Sequence, residues 1–165
     1  MALGNRYKSA PGAGTLAALI LVLVFGSPWY ADWVNKGSNA NPNTAGGWWL
    51  RLLAWPHWKF NSNDSLREII VGDLKAILVV LLTLLFLFLL PGSQLARARG
   101  TISQFFAGWA SYIFAGGFAA LLTTLFLANP SLLGAFQSAG SGAAYGLFVG
   151  WLVGLATLGG FRGTR

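Results

Sequence analysis

The chain has 165 residues, of which 55% are hydrophobic and only 9% are charged. An ordinary soluble domain carries roughly 25% charged residues, so this composition excludes a purely aqueous protein and predicts that much of the chain lies in a membrane. The net charge of +7 does not indicate nucleic-acid binding, because the 11 Lys and Arg residues form no dense run and no basic helix face. The chain has no cysteine, which excludes disulfides, thiolate metal sites and cysteine nucleophiles.

The hydrophobic segments predict an all-α integral membrane protein, a single domain of four antiparallel transmembrane helices. We place the spans at about residues 12–30, 74–90, 102–128 and 141–160, since a helix needs roughly 20 mostly apolar residues to cross a bilayer. A cleaved signal peptide has the same outline as the first segment. No A-x-A cleavage pattern follows it, so we expect this helix to be retained.

A tryptophan-rich loop, residues 31–73, connects the first two spans. Residues 48–55 predict a short interfacial helix, because tryptophan prefers the headgroup layer, where its ring is buried and its N–H stays hydrated. Arginine in such a helix reaches lipid phosphates. The alternative is a docking surface for a partner, since Trp and Arg also dominate protein interfaces. The predicted contact residues are Trp48, Trp49, Arg51, Trp55 and Trp58.

The second span has clear sequence signals at both ends. Ser65 and Glu68 have the spacing of a capping box, in which the two side chains satisfy free N–H groups at a helix start. This pattern predicts that a helix begins there and continues into the apolar segment 74–90. Pro91 and Gly92 are expected to end it.

The last hydrophobic segment contains four glycines at four-residue spacing. Residues four apart lie on one side of an α-helix, so these glycines predict a groove without side chains, about 18 Å long. In a bilayer such a groove lets another backbone approach closely. A row of small residues in the preceding segment predicts its partner in a tightly packed antiparallel hairpin. The predicted packing residues are Gly142, Gly146, Gly150 and Gly154 in the last segment and Ala107, Ser111, Ala115 and Ala119 in the preceding one, with Gly108, Gly116 and Ala120 on an adjoining row.

The flanking charges predict the topology. With four spans, both termini and the turn at 93–101 share one side, which carries six Lys and Arg residues and no acidic residue. The other side carries five basic residues in a much longer loop, together with all four acidic residues. Because Lys and Arg in short loops favour the cytoplasmic side, we expect both termini to be cytoplasmic, with the protein in the cell membrane and the tryptophan-rich loop outside.

Groups suited to chemistry are scarce at membrane depth. Past Lys75, no predicted span contains an ionisable Lys, Arg, Asp, Glu or His. Coupled transporters and proton relays depend on such groups, so this pattern argues against them. His57, the only histidine, lies between aromatic residues in the outer loop and matches no metal-binding motif. Ser111 lies on the small-residue row, where its hydroxyl can bond to the fourth helix.

These observations predict no catalytic, cofactor-binding or metal-binding residue. The expected function is that of a non-catalytic accessory or structural subunit of a larger membrane assembly. Its expected partners are membrane lipids and other transmembrane subunits, identical or different, and not nucleic acid. The main alternative is a homo-oligomeric channel or pore, because glycine-rich helices can line or surround one. A lipid-handling enzyme with its site outside the membrane is a third hypothesis.

Overall fold

The computed structural model describes residues 10–36, 40–59, 65–93, 101–126 and 131–162. These residues form helices and their connections, with no strand among them. The helices are α1 (Ala10–Ile20), α2 (Pro28–Asn35), α3 (Ala45–Leu53), α4 (Leu66–Ser93), α5 (Thr101–Thr124), α6 (Leu132–Val149) and α7 (Trp151–Arg162), with a π-helical segment (Leu21–Phe25) after α1.

Two helical segments are each long and apolar enough to cross a membrane, Leu66–Leu90 in α4 and Ile102–Thr124 in α5. Two bent pairs reach the same length and hydropathy only when their parts are combined. One pair is α1 and its π-helical segment with α2, bent by 58°, and the other is α6 with α7, bent by 53°. The all-helical fold is therefore confirmed for the described residues, and it contains two to four candidate membrane spans. The first and last predicted spans each differ from the prediction by a bend.

The start of α4 confirms the capping box. The backbone N–H of Ser65 donates to Glu68 Oε2 at 3.1 Å, and the backbone N–H of Glu68 donates to Ser65 Oγ at 3.3 Å. Both bonds satisfy donors that lack a partner inside the helix. At its other end α4 continues to Ser93, two residues beyond the proline that was expected to stop it.

The last hydrophobic segment becomes helical earlier than predicted, at Leu132 rather than at about residue 141. Ser131 is its N-cap, and the Ser131 hydroxyl accepts a hydrogen bond from the backbone N–H of Gly134 at 2.9 Å. This cap favours a helix start that apolar content alone does not indicate, because serine satisfies a free N–H of the first turn.

Helix α5 occupies the centre of the packing. It lies against α4 on one side and against α6 and α7 on the other, while α1 packs against both α4 and α7. Helices α4 and α5 run in opposite chain directions where they meet. The start of α4 contacts the end of α5 through Arg67, whose Nε donates to the Phe126 carbonyl at 2.6 Å. Near the other end of α4, Leu87 lies beside Gly14 of α1.

Candidate functional site

The glycine row of α6 and α7 lies directly against the backbone of α5. A Cβ placed on Gly146 would lie 2.5 Å from the Ile113 Cα and 2.8 Å from the Tyr112 carbonyl oxygen. A Cβ on Gly142 would meet the Gly116 carbonyl at still shorter range. No side chain fits at these points, so the two backbones are in contact without intervening atoms.

The predicted partner row is buried, but it does not supply the residues nearest to these glycines. Ala107 is 4% exposed, and Ser111, Ala115 and Ala119 are fully buried. Gly150 lies nearest to the Gly146 carbonyl of its own segment, and the other nearest atoms to the four glycines belong to α5 residues outside the predicted row, which are Phe105, Trp109, Tyr112, Ile113, Gly116 and Ala120. The adjoining row therefore meets the glycine row at Gly116, which lies nearest to Gly142, and at Gly108, which lies beside Gly154.

Ser111 does not form the predicted hydrogen bond to the last segment, but Thr157 of that segment lies within hydrogen-bond distance of α5. Ser111 Oγ donates to the Ala107 carbonyl of its own helix at 2.7 Å. Thr157 Oγ1 of α7 instead lies 3.1 Å from the Gln104 carbonyl of α5 and 2.7 Å from the Gly154 carbonyl. A threonine hydroxyl that reaches both its own turn and a neighbouring helix ties α7 to the start of α5.

Two tyrosines form a buried polar contact between α5 and α6. The hydroxyl oxygens of Tyr112 and Tyr145 lie 2.8 Å apart, and both side chains are almost completely buried. Each hydroxyl thus has a partner inside the bundle, as buried polar groups require. The Trp55 ring centroid lies 4.7 Å from that of Tyr145, which places the tryptophan-rich loop against this pair. No sequence pattern predicted this pairing, although Tyr145 directly precedes Gly146 of the packing row.

An indole N–H satisfies a backbone carbonyl at the first bend. Trp58 Nε1 donates to the Val22 carbonyl of the π-helical segment at 3.1 Å, and the Trp58 backbone N–H donates to the Gly26 carbonyl at 2.8 Å. Carbonyls in the last turn of a helix have no partner within it. Trp58 therefore donates to two backbone carbonyls near the end of the π-helical segment that follows α1.

At the second bend, indole N–H groups again donate to backbone carbonyls. At the end of α6, the Leu147 carbonyl accepts from Trp109 Nε1 at 2.9 Å. The Phe148 carbonyl accepts from Trp49 Nε1 at 3.3 Å. Backbone that departs from helical geometry inside a membrane protein needs such internal donors, because lipid supplies none.

Each of the five predicted contact residues of the loop therefore contacts another part of this chain. Besides Trp49 and Trp58, Trp55 packs on Tyr145, and Arg51 Nε donates to the Ala40 carbonyl at 3.0 Å. Trp48 stands edge-on to Phe148 with ring centroids 5.0 Å apart and remains 44% exposed. Among the five, Trp48 is the most exposed. We call the end of the bundle where α4 begins, α5 ends and α6 begins the tryptophan-rich end, because Trp55 lies there beside Lys75.

Two concave surfaces flank α6. A polar cavity of about 400 Å³ opens at the tryptophan-rich end. Its lining residues are Trp55, Lys75, Ala120, Thr124, Ser131, Gly134, Gln137, Ser138 and Ser141. An apolar groove of about 360 Å³ lies between α5 and α6. Its lining residues are Ile113, Phe114, Gly117, Phe118, Leu121, Phe136, Ala139, Gly140 and Ala143.

Sequence reasoning missed both surfaces, because their residues come from segments far apart in the chain. Two signals pointed to the cavity. Lys75 is the last charged residue before the apolar part of α4, and residues 131–141 are uncharged but include three serines and a glutamine. Only the packing of α4 and α6 on α5 brings these two features together.

The described residues contain no group of three or more His, Cys, Asp or Glu side chains that could hold a metal ion. His57 is exposed in the loop. Comparison of the chain with protein-family models, with curated proteins and with solved structures gives no match. The geometry of this chain is therefore the basis for its functional interpretation.

Proposed function

We propose that the chain is a non-catalytic accessory or structural subunit of a larger membrane protein assembly. The observation that carries this proposal is the apolar groove between α5 and α6. Gly117, Gly140 and Ala143 contribute to its lining, and a Cβ on Gly140 would meet no atom within 4 Å. Small residues on an open helix face let a second transmembrane helix approach closely, so the proposed occupant is a transmembrane helix of an unlike subunit.

The groove is distinct from the small-residue face that this chain uses itself. On α6, Gly142 and Gly146 lie against the α5 backbone, and no side chain fits there. Gly140, on the same helix, faces open space. Helix α6 therefore carries two small-residue faces, one filled by α5 and one left for a partner.

The distribution of polar groups supports a packing role. The buried hydroxyls of Thr83, Ser111 and Thr123 donate to carbonyls of their own helices. They are satisfied locally, so they are not held ready for a substrate or an ion.

The proposed topology has four spans, each bent pair counting as one, with both termini cytoplasmic and the protein in the cell membrane. The tryptophan-rich end would then lie at the outer surface. Support comes from the charges of that end, since the described acidic residues Asp32, Glu68 and Asp73 all belong to it or to the start of α4. The basic residues outside the tryptophan-rich end lie in short segments beside the predicted spans. The positive-inside rule counts Lys and Arg in such segments most heavily.

A matched pair of glycine variants tests the docking proposal. Gly140→Leu fills the groove, whereas Gly159→Leu makes the same change on α7, at another position where a Cβ would meet no atom within 4 Å. Neither variant should disturb the fold, since both side chains enter open space and leucine favours helix. The measurement is the mass and composition of the complex purified in mild detergent.

We expect unlike subunits to co-purify with the unmodified chain and with Gly159→Leu, and to be lost with Gly140→Leu. A closed ring of identical chains would favour the homo-oligomeric channel instead. A monomer in all three preparations, or a complex that Gly140→Leu leaves intact, would contradict docking through this groove.

A further inference from the structure

The polar cavity at the tryptophan-rich end has the size of a ligand site. Its volume is about 400 Å³, within the roughly 300–1,000 Å³ that small-molecule sites occupy. It is bounded by the end of α5, the first half of α6, Lys75 of α4 and Trp55. This space exceeds what one inorganic ion requires, so a larger molecule with a polar group can enter.

The charge of the cavity is positive. Lys75 is the one ionisable side chain among its lining residues, and no carboxylate lines it. Lys75 Nζ lies 5.7 Å from the centroid of the Trp55 ring, and Lys59 is close enough to add like charge. The nearby carboxylate of Asp73 accepts from the Lys59 backbone N–H at 3.1 Å. A half-buried ammonium without a carboxylate beside it in the cavity is stabilised by an anion that enters.

The cavity also offers hydrogen-bond donors. Gln137 and Ser138 line it, and neither side chain forms a hydrogen bond within the described part of the chain. The Ser131 hydroxyl accepts from Gly134, which leaves its own hydrogen free to donate. An ammonium that shares a cavity with hydroxyl and amide donors suits an oxyanion that accepts several hydrogen bonds, as a phosphate group does.

We propose that this cavity binds a phosphate group, carried by a membrane lipid headgroup or by a small soluble phosphate ester. Lys75 supplies the counter-charge, and Gln137 and Ser138 donate to the phosphate oxygens. This inference rests on a different surface from the subunit proposal and is independent of it. Leu132 and Leu133, at the start of α6, are 76% and 70% exposed, so a lipid bound here would have apolar surface beside it for its chains.

The test separates the two sources of phosphate. In one arm, the full chain in detergent is titrated with phosphatidylglycerol or with diacylglycerol, which lacks the phosphate, and native mass spectrometry counts retained lipid. In the other arm, glycerol 3-phosphate is added to lipid-free protein and its affinity is measured by calorimetry. The variants are Lys75→Met, Lys75→Arg and Ser138→Leu, which places a bulky side chain in the cavity. Lys36→Met is the matched control, since Lys36 lies outside the cavity at the end of α2.

We expect Lys75→Met and Ser138→Leu to weaken binding about tenfold or more, as loss of a charge-assisted hydrogen bond or of space for the ligand implies. Lys75→Arg and Lys36→Met should retain binding. Retention of phosphatidylglycerol alone assigns the lipid headgroup, and binding of glycerol 3-phosphate assigns a soluble ester. Equal binding by wild type and Lys75→Met, or equal retention of diacylglycerol and phosphatidylglycerol, would overturn the proposal. Should Lys75→Met fail to fold, unchanged binding by Ser138→Leu would overturn it as well.

Discussion

Replacement of Gly146 by alanine tests the contact between α6 and the backbone of α5. The added Cβ would lie 2.5 Å from the Ile113 Cα and 2.8 Å from the Tyr112 carbonyl oxygen. Carbon atoms in ordinary contact are about 3.5–4.0 Å apart, so the helices must separate by roughly 1 Å locally. The obstructing atoms belong to a helix backbone and not to the far end of a flexible side chain, so they cannot move aside independently.

The expected loss of stability follows from two opposing terms. Overpacking of a well-filled interior costs about 1–3 kcal/mol. Alanine in place of glycine inside a helix contributes about 0.5–1 kcal/mol in the opposite direction. Because backbone atoms are involved, the upper part of the overpacking range applies. We therefore expect Gly146→Ala to lower the free energy of unfolding by about 2 kcal/mol.

The matched control is Gly140→Ala, on the same helix. A Cβ at Gly140 would meet no atom within 4 Å, so only the helix term remains and stability should rise by about 0.5–1 kcal/mol. Leu147→Met, at a side chain that is 45% exposed, should change stability by less than about 1 kcal/mol. The assay is reversible unfolding of the three variants and the wild type in mixed micelles, followed by helical circular dichroism. Equal stability of Gly146→Ala and Gly140→Ala would refute the close contact between α5 and α6.

Three further predictions concern other parts of the bundle. Tyr112→Phe leaves the Tyr145 hydroxyl buried without its partner and should cost about 1–3 kcal/mol, while the double Phe variant should cost less than the sum of the two single changes in a thermodynamic cycle. Trp58→Phe removes the indole donor at the first bend and should cost about 1–2 kcal/mol more than Trp48→Phe, which mainly loses ring contact, by the same unfolding assay. Since the chain has no cysteine, a single cysteine at position 97 should react with a membrane-impermeant reagent only after cells are opened, and labelling of intact cells would contradict cytoplasmic termini.

The sequence was most informative where one local interaction determines the structure. Ser65 and Glu68 predict a helix start because their partners lie within the same turn, and the structure shows both bonds. The short helix predicted at residues 48–55 is present as Ala45–Leu53, so it begins three residues earlier and ends two residues earlier than predicted.

The predicted row of small residues on α5 shows the limit of spacing arguments. Four-residue spacing identifies a face of a helix, but it does not give the rotation of that helix toward its neighbour. Ala115 and Gly116 both lie on small-residue rows, and Gly116 is the one that meets Gly142. The rotation depends on the remaining contacts of α5, including the Tyr112–Tyr145 pair and its packing on α4.

The bend between α6 and α7 was not predictable from its own residues. Gly150 continues the spacing of the glycine row, so the local sequence favours one unbroken helix. The donors at the bend come from elsewhere. Trp109 lies on α5, and Trp49 is 99 residues from the carbonyl that it reaches. These two indoles give the Leu147 and Phe148 carbonyls hydrogen-bond partners at the end of α6.

The position of the tryptophans and the existence of the bends therefore depend on each other. A bent helix in a bilayer exposes carbonyls that lipid cannot satisfy. Tryptophan combines a large apolar ring with a single N–H donor, so it can enter the bundle and bond to such a carbonyl without bringing a charge with it. Trp49 and Trp58 do this from the loop, one at each bend. Their concentration in the loop thus has a structural cause within this chain, and the loop stabilises the two bent helices that it covers.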